Sequence, residues 1–306
     1  MPFFRTDHWR CAVVDAPFAD IVSAGTLEGF PVTALPEVGA MRFLADPFGL
    51  WRDGALHVFA EAYDYRDRHG VIVRLKLNRD FWPVEQRVVL RTATHLSYPV
   101  PIEADGEAYL LPEASKSGRL SLYRAQGSLD SWAPCEEFSF PIAAIDASPI
   151  FHDGLWWMFY TPPGGTKASR QGTLCAAWAE NLTGPWTEHP ANPLLCDRAG
   201  ARPGGQPVSL GGAIILPVQD CVGTYGAAVR LLHLAIDRER VEIRTGARLA
   251  APSALGPLTD GLHTLSAAGD VTLIDVKRVG IGPGRHWFDL RRAVARRSGA
   301  MPPVRW

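Results

Sequence analysis

The feature of this sequence that most limits its fold is a segment that recurs five times. Each copy has a short apolar run, a tight turn at a glycine, and a second strand-like run. The turn glycines are Gly54, Gly106, Gly154, Gly212 and Gly269, with spacings of 52, 48, 58 and 57 residues. Three of the turns are Asp-Gly, the strongest short hairpin signal, because such a turn requires positive φ. A period near 50 residues indicates a repeat architecture.

A third β-rich stretch follows most hairpins, as in "GVIVRLKL" and "GRLSLYRA". Two or three strands per copy plus an outer strand make a blade of about four. We therefore predict an all-β fold, a five-bladed β-propeller with a short C-terminal basic helix or tail. A β-sandwich of hairpins is the alternative, but it does not explain why acidic and aromatic residues recur at one offset. The strand-like "WRCAVVDA" is predicted to complete the last blade and remove an exposed sheet edge.

The propeller is predicted to be a single domain over residues 1–276, followed by a basic extension over residues 277–306. Within the extension, "RHWFDLRRAVARR" places an apolar line beside several arginines. This pattern suggests a helix packed on the propeller flank. The alternative is weak contact with an anionic membrane surface.

Composition narrows the classes of function. A formal net charge of -1 gives no basic field to attract nucleic acid. No apolar run approaches the roughly 20 residues needed to span a bilayer. The N-terminus has no long apolar stretch of the kind found in signal peptides, and the five cysteines lack zinc-binding or CxxC spacing. These features predict a cytoplasmic protein with reduced thiols.

The repeat also predicts where polar residues meet. In a propeller, the start of each innermost strand and the end of the next strand lie on the same face of the disc. Eight residues before the five glycines stand Asp46, Tyr98, Asp146, Gly204 and Gly261, and seven residues after them stand Glu61, Glu113, Thr161, Gln219 and Val276. Nearby polar residues are His95, Arg202, Gln206, Asp220, Asp260, His263 and Asp275. Carboxylates bind hydroxyls and supply acid and base, and aromatic faces pack on sugar rings, so a sugar site at one mouth of the channel is indicated.

The segments that carry this pattern resemble a known family. They include "ADPF" (45–48), "HLSYP" (95–99), "DGEAYLLPEAS" (105–115), "GLWWMFYT" (154–161), "ARPGGQP" (201–207) and "YGAAVRL" (225–231). As a set they resemble the propeller domain found N-terminal in plant glucosamine inositolphosphorylceramide transferases and its bacterial relatives. A more distant resemblance is to the arabinanase and fructosidase clans of glycoside hydrolases. The resemblance implies a five-bladed propeller and a carbohydrate context.

The resemblance to the hydrolase clans implies roles for two carboxylates. Asp46 resembles their catalytic base, and Asp146 resembles the carboxylate that tunes pKa and orients the substrate. Glu113 is the predicted proton donor, because burial at the end of an apolar strand would raise its pKa. The hydrolases carry their acid in a later blade, where this sequence offers only Gln219 and Asp220. Structural roles stay open for all three, as turn caps or as an ion-pair partner of a nearby arginine.

The remaining candidates are predicted to bind substrate: Glu61, His95, Tyr98, Arg202, Gln206, Gln219, Asp220, Asp260 and His263. Arg202 could hold a carboxylate or phosphate through its planar guanidinium. His263 resembles an axial histidine that lies near hydrated calcium in some of these propellers, so calcium at the axis is an open alternative. No other metal or cofactor is predicted. For Tyr98, core packing is an equal alternative.

Three functional hypotheses follow. The first is a carbohydrate-active enzyme acting at a glycosyl bond, by hydrolysis or transfer, on a sugar or glycoconjugate of a surface-polysaccharide or glycolipid pathway. In that case a carboxyl separation of about 5–5.5 Å would indicate retention and about 6.5–9.5 Å inversion. The second is a non-catalytic sugar-binding module that serves a partner glycosyltransferase. The third is a glycosyltransferase or phosphorylase that uses an activated sugar, with Arg202 on its phosphate.

Overall fold

The short apolar runs separated by Gly and Asp turns form a protein built almost entirely of strands. The computed structural model describes residues 5–281 and, beyond them, residues 287, 288 and 291. The described chain begins with a strand, a short helix and a second strand: β1 (Arg5–Val14), α1 (Phe18–Ala24) and β2 (Val32–Ala34). No helix among the described residues is long and apolar enough to cross a bilayer.

Three antiparallel sheets follow in chain order as blades 1 to 3. Blade 1 contains β3 (Arg42–Arg52), β4 (Ala55–Asp64), β5 (His69–Leu77) and β6 (Pro83–Leu90). Blade 2 contains β7 (Ser97–Ala104), β8 (Glu107–Glu113), β9 (Tyr123–Ala125) and β10 (Trp132–Pro134), with a 3-10 helix at Ser115–Ser117. Blade 3 contains β11 (Ile145–His152), β12 (Leu155–Thr161), β13 (Thr173–Ala179), β14 (Thr187–Glu188) and β15 (Leu195–Cys196), with a 3-10 helix at Ser169–Gln171.

Blades 4 and 5 complete the ring. Blade 4 contains β16 (Arg202–Pro203), β17 (Val208–Leu210), β18 (Ala213–Asp220), β19 (Ala228–Ile236) and β20 (Val241–Leu249), followed by a 3-10 helix at Ser253–Leu255. Blade 5 contains β21 (Gly261–Ala268) and β22 (Val271–Ile281), and β1 and β2 from the other end of the chain complete it in the order β2-β1-β22-β21. The predicted five-bladed propeller is confirmed, and so is its closure by the N-terminal strand.

The two ends of the propeller lie side by side. Strand β1 pairs antiparallel with β22 over its whole length, from Arg5 opposite Ile281 to Val14 opposite Thr272. Strand β22 therefore extends to Ile281, past the boundary expected at residue 276. The predicted C-terminal basic helix falls almost entirely on residues outside those that the structure describes.

The hairpin turns have the backbone that their sequence requires. At the turn between β3 and β4, Asp53 and Gly54 have φ of +52° and +70°, as a type I′ turn demands. The corresponding turns of blades 2 and 3 repeat this pair of positive φ angles at Asp105, Gly106, Asp153 and Gly154.

Apolar cores lie between neighbouring blades. Between blades 5 and 1, Val13 packs with Val58 and Leu273, and all three are fully buried. Between blades 2 and 3, Val100 and Met158 belong to another buried cluster. Because each sheet packs face to face on the next, the inner strands are held at fixed positions around the axis.

The inner strands of blades 1 to 3 begin with the same distortion. Asp46, Tyr98 and Asp146 have φ of +50°, +48° and +48°, a left-handed conformation that costs energy for residues other than glycine. A register shift marks a β-bulge at each of these positions. Bulges re-aim side chains, and here they bring three side chains to the propeller axis.

Candidate functional site

A cavity of about 190 Å³ lies at the axis, on the face where inner strands begin and second strands end. Its lining residues come from all five blades: Trp9, Phe43, Asp46, Glu61, His95, Ser97, Glu113, Asp146, Arg202, Tyr225 and His263. Seven of them carry a role in the sequence-based prediction. The structure therefore brings most of the predicted site residues together, including all three candidate catalytic carboxylates, while their chemical roles stay predictions.

Asp46 is held on three sides by hydrogen bonds. Its Oδ2 accepts the backbone N–H of Tyr98 at 3.2 Å, and its Oδ1 accepts the hydroxyl of Thr264 at 3.1 Å. Its own backbone N–H donates to Asp275 Oδ2 at 2.9 Å. Burial raises the pKa of Asp46 to about 6, with His263 opposing that rise and neighbouring carboxylates adding to it. Asp46 is therefore largely ionised at neutral pH and close to titrating, which suits a general base.

Asp146 forms a bidentate ion pair with Arg202. Arg202 Nε donates to Asp146 Oδ2 at 2.6 Å, and Nη2 donates to Oδ1 at 3.1 Å. Gln219 Nε2 also donates to Oδ2, at 2.8 Å. Burial raises the pKa of Asp146 to about 6 against the opposing charge of Arg202, and Glu113 adds to the rise. At neutral pH both partners are charged, and Asp146 occupies the guanidinium edge that the sequence suggested for a substrate anion.

Glu61 and His95 form a buried pair in which hydrogen bonding sets the tautomer. His95 Nδ1 accepts the backbone N–H of Gly70 at 2.9 Å, so the neutral ring carries its proton on Nε2. That Nε2 lies 3.4 Å from Glu61 Oε1. Burial lowers the pKa of His95 to about 3, and burial raises the pKa of Glu61 well above its usual range, with Asp46 and Glu113 adding to the rise. Burial therefore favours the neutral form of both groups, and Glu61 holds its proton to a higher pH than an ordinary glutamate.

Glu113 lies at the mouth of the cavity and is only half-buried. Its Oε1 accepts the hydroxyl of Ser115 at 2.6 Å, and its Oε2 accepts that of Ser97 at 3.4 Å. Strand β8 ends at Glu113, so solvent reaches its carboxyl, whereas Glu61 lies inside β4. The buried glutamate of the cavity, expected at Glu113, is Glu61.

His263 is fixed between a carboxylate and an indole. Its Nδ1 lies 2.6 Å from Asp275 Oδ2, and its ring stacks on Trp9 with centroids 3.7 Å apart. Burial alone would lower the pKa of His263, but Asp275 and Asp46 outweigh burial and raise it. Its Nε2 lies 3.7 Å from Asp46 Oδ1. The axis therefore holds an imidazole between two carboxylates that favour its cationic form.

Asp46, His263 and Asp275 come nearest to a metal-binding cluster, with candidate ligand atoms within 4.8 Å of one another. Asp275, however, has no free lone pair. Its Oδ1 accepts the backbone N–H groups of His263 and Thr264, while its Oδ2 accepts that of Asp46 and faces His263 Nδ1. Calcium takes about six to eight oxygen ligands. These residues therefore do not fit the calcium site considered from the sequence.

Tyr98 does not line the cavity, although its backbone repeats that of Asp46 and Asp146. Its side chain is 1% exposed. Its hydroxyl lies 2.9 Å from Ser148 Oγ and accepts the backbone N–H of Gly205 at 2.6 Å. The ring thus joins blade 2 to blades 3 and 4 across the axis. The sequence left two alternatives open for Tyr98, core packing and substrate contact. The structure places it in the core.

Four other predicted substrate-binding residues also lie outside the cavity: Gln206, Gln219, Asp220 and Asp260. Gln219 is buried behind the cavity, where it supports Asp146. Asp220 forms an ion pair with Arg248 at 2.8 Å. Asp260 is exposed and accepts a backbone N–H from the edge of blade 5, and Gln206 is half-buried.

Blade 4 carries no carboxylate at the axis because its inner segment packs directly on blade 5. A Cβ added to Gly204 would lie 2.7 Å from the carbonyl oxygen of His263, and one added to Gly205 would lie 1.9 Å from that of Leu265. The N–H of Leu265 donates to the carbonyl of Gly204 at 2.8 Å. Only glycine fits so close a contact, so blade 4 contributes Arg202 and a loop tyrosine instead.

Four lining residues of the site were not predicted: Trp9, Phe43, Ser97 and Tyr225. The strand that contains Trp9 was predicted to complete the last blade, and its pairing with β22 brings Trp9 to the axis. That strand lies outside the five repeated segments, so the repeat offsets gave Trp9 no place in the site. Ser97 stands one residue before the repeat position Tyr98. That adjacency was the signal that could have identified it.

Five blades, an N-terminal closing strand and a polar axial cavity define the class of five-bladed β-propellers. The chain is similar to the catalytic domain of the Coprinopsis cinerea GH62 alpha-L-arabinofuranosidase, with a TM-score of 0.58 and 13% identity over 79% of this chain and 93% of that one. It is also similar to a GH43 beta-xylosidase/alpha-arabinofuranosidase from a compost microbial metagenome, with a TM-score of 0.57 and 14% identity over 80% and 93% of the two chains. At these identities the likeness concerns the fold.

Within that class, the chain belongs to the family "Glucosamine inositolphosphorylceramide transferase 1, N-terminal", which matches residues 32–247. It is 34% identical over 196 residues to Glucosamine inositolphosphorylceramide transferase 1 of Oryza sativa subsp. indica, and 28% identical over 214 residues to that of Arabidopsis thaliana. These alignments cover 63% and 69% of this chain but only 26% and 27% of the plant proteins. The family expected from the sequence motifs is confirmed.

Proposed function

We propose that this protein is a carbohydrate-active enzyme that acts at a glycosyl bond. The observation that carries the proposal is that several carboxyl groups line one small cavity and that burial raises their pKa values by different amounts. Asp46 and Asp146 have a pKa raised to about 6 by burial, whereas burial raises the pKa of Glu61 well above its usual range. Most glycoside hydrolases break a glycosidic bond with one ionised and one protonated carboxyl placed around the same sugar.

Each carboxyl has a distinct role in this proposal. Asp46 acts as base or nucleophile, because it is ionised at neutral pH and its hydrogen bonds fix its direction. Glu61 and Glu113 are the two candidates for the proton donor: burial favours the protonated form of Glu61, and Glu113 lies at the mouth where a leaving group would depart. Asp146, paired with Arg202, orients the sugar and adds negative potential beside Asp46.

The dimensions and walls of the cavity support a single sugar ring as the bound group. Its volume of about 190 Å³ lies below the roughly 300–1,000 Å³ of pockets for drug-sized ligands. Phe43 and Tyr225 contribute aromatic surface to the cavity wall, and the carboxylates offer acceptors for the hydroxyls of a sugar. The plant relatives are named as transferases of glucosamine inositolphosphorylceramide, and the fold neighbours include glycosidases, which supports a sugar or glycoconjugate substrate.

The replacement Asp46→Asn tests the proposal. We expect turnover of a true substrate to fall by about 10²–10⁴-fold, while sugar affinity changes only a few-fold. The assay would combine a panel of aryl glycosides, oligosaccharides and nucleotide sugars with calorimetric binding. The matched control is Asp105→Asn, which removes the same charge at an exposed hairpin turn where asparagine also tolerates positive φ. Unchanged turnover in the Asp46 variant would refute the assignment.

A non-catalytic sugar-binding module is the second candidate. This candidate is favoured because the chain spans only about a quarter of the length of its plant relatives, so it corresponds to one part of a larger protein there. Saturable binding of a sugar that is never turned over, together with transfer by an added glycosyltransferase, would support this candidate. The third hypothesis, with Arg202 holding the phosphate of an activated sugar, loses support because Asp146 already occupies the guanidinium.

We also propose that the protein works in a reducing compartment, as expected for the cytoplasm. All five cysteines are unpaired, and four of them are buried. Unpaired cysteines are typical of compartments that keep thiols reduced. Cell fractionation with a tagged chain tests this proposal.

A further inference from the structure

A second and larger cavity, of about 400 Å³, opens next to the axial one. Trp9 and Phe43 line both cavities, so the two cavities adjoin at these residues, which we call the partition. The second cavity lies between β1 of blade 5 and the segment 36–44, which leads into β3 of blade 1. A ligand that extends past the partition from the axial cavity would enter it.

The two cavities differ in their charged side chains: carboxyl groups predominate at the axis, and arginines predominate in the second cavity. Arg10, Arg42 and Arg278 line the second cavity, and Glu37 is the acidic residue among its described lining. Glu37 offsets little of this charge, because its side chain is 67% exposed and lies 3.9 Å from Arg10. Arg42 donates to the buried Asp64 at 3.0 Å. Among the described residues, Arg278 has no ion-pair partner.

The rest of the wall is compatible with a charged ligand that also has carbon surface. His8 lies beside Arg278, and burial together with that arginine lowers the pKa of His8. Its imidazole is therefore neutral at neutral pH and can donate one hydrogen bond. Met41, Leu44 and Leu258 supply apolar surface to the cavity. A volume of about 400 Å³ falls within the usual range for ligand pockets.

We propose that the second cavity binds an anionic substituent, a phosphate ester or a carboxylate, carried by the sugar whose ring occupies the axial cavity. The position of the ring rests on the proposed function, but the binding of an anion does not. Guanidinium groups hold oxyanions through paired hydrogen bonds. The same anion at the axis would face the carboxylates Asp46 and Asp146 and be repelled. The different charged groups on the two sides of Trp9 and Phe43 would therefore admit the substrate in one orientation.

The variant Arg278→Gln tests this inference, because Arg278 is exposed and its loss breaks no ion pair among the described residues. The probes are inorganic phosphate alone and one sugar in three forms: neutral, uronic acid and phosphate ester. We expect the wild type to bind the charged forms at least tenfold more tightly than the neutral form. Arg278→Gln should lower the affinity for the charged sugars and for phosphate by about tenfold or more. It should leave the affinity for the neutral sugar unchanged.

Arg244→Gln is the matched control, since Arg244 is an exposed arginine on β20, the outer strand of blade 4. It should leave every affinity unchanged, and added salt should weaken only the charged probes. A larger loss for the phosphate ester than for the uronic acid would identify phosphate as the preferred group, and the reverse would identify carboxylate.

Equal affinities for neutral and charged sugars, or equal effects of the two variants, would overturn the anion site. Failure of the proposed function would look different. In that case no sugar would be turned over, yet inorganic phosphate would still bind in a manner that depends on Arg278.

Discussion

At the scale of single residues, the groups around each carboxyl give it a different pKa within one cavity. Burial raises the pKa of Asp46 only to about 6, because His263 and the hydroxyl of Thr264 favour its ionised form. Glu61 is equally buried and has no such cation beside it among the described residues, so burial and neighbouring carboxylates raise its pKa well above the usual range. The chemistry of each carboxyl therefore depends on the donors around it.

The pH dependence of turnover should depend on Thr264. A base works when ionised, so kcat/KM should fall below about pH 6, the pKa of Asp46. Thr264→Val removes a hydrogen bond that lowers this pKa, so the acidic limb should move to higher pH. Thr264→Ser retains the hydroxyl, so the acidic limb of its pH profile should lie at the same pH as that of the wild type. A profile measured between pH 4.5 and 8 that is the same for all three proteins would contradict this role for Thr264.

Glu61 should make folding stability depend on pH. Because burial raises its pKa, the folded state holds a proton that the unfolded state releases, so Glu61 causes stability to fall as pH rises. Glu61→Gln removes this titration, so the variant should lose less stability than the wild type between pH 5 and 8. Urea unfolding at both pH values measures the difference. The exposed Glu107→Gln is the control and should follow the wild type; an unaltered dependence in Glu61→Gln would exclude the effect.

At the scale of elements, the strand that closes the ring also builds the site. Strand β1 pairs with β22, its Val13 packs between blades 5 and 1, and its Trp9 stacks on His263. The stability of the ring and the shape of the cavity are thus linked through one strand.

A small cavity beside the closing strand β1 should lower the stability of the protein. Val13→Ala removes two methyl groups from a fully buried site, which should lower the free energy of unfolding by about 2 kcal/mol. Val88→Ala makes the same change on β6, where Val88 is 39% exposed, and should cost no more than about 0.5 kcal/mol. If urea unfolding gave equal losses of unfolding free energy for the two variants, the junction of blades 5 and 1 would contribute no more to stability than the outer edge of blade 1.

At the scale of the whole molecule, contacts across the axis hold the blades around the cavity. Asp275 of blade 5 accepts from Asp46 of blade 1, whose carboxylate accepts from Tyr98 of blade 2. Asp146 of blade 3 binds Arg202 of blade 4. The groups that form the candidate site are therefore also those that join the blades.

The variant Tyr98→Phe tests whether a residue can join the blades without binding the sugar. It leaves the ring in place but removes the partner of the Gly205 N–H and the Ser148 hydroxyl, which should cost about 1–3 kcal/mol of stability. Sugar affinity should not change, because Tyr98 does not line the cavity. Tyr123→Phe is the control, as Tyr123 is half-buried on the blade 2 strand β9. A large loss of sugar binding in Tyr98→Phe would restore Tyr98 as a substrate contact.

Local sequence determined the fold and the position of the cavity. Asp-Gly pairs select hairpins whatever their surroundings, and a period near 50 residues turns five hairpins into a ring. Offsets from the turn glycines then place four carboxyl residues on one face: Asp46, Glu61, Glu113 and Asp146. The reason is that the start of an inner strand and the end of the next strand lie on the same face of the propeller.

Only the tertiary structure decided what each of those residues does there. The same left-handed bulge brings Asp46 to the cavity and sends Tyr98 across the axis, because the adjoining blade decides which direction has room. Burial of Glu61 and exposure of Glu113 follow from how far each strand extends toward solvent. Trp9 reaches the axis through a pairing between the two ends of the chain. Depth, direction and long-range pairing depend on neighbouring blades, and residue spacing within one blade does not encode them.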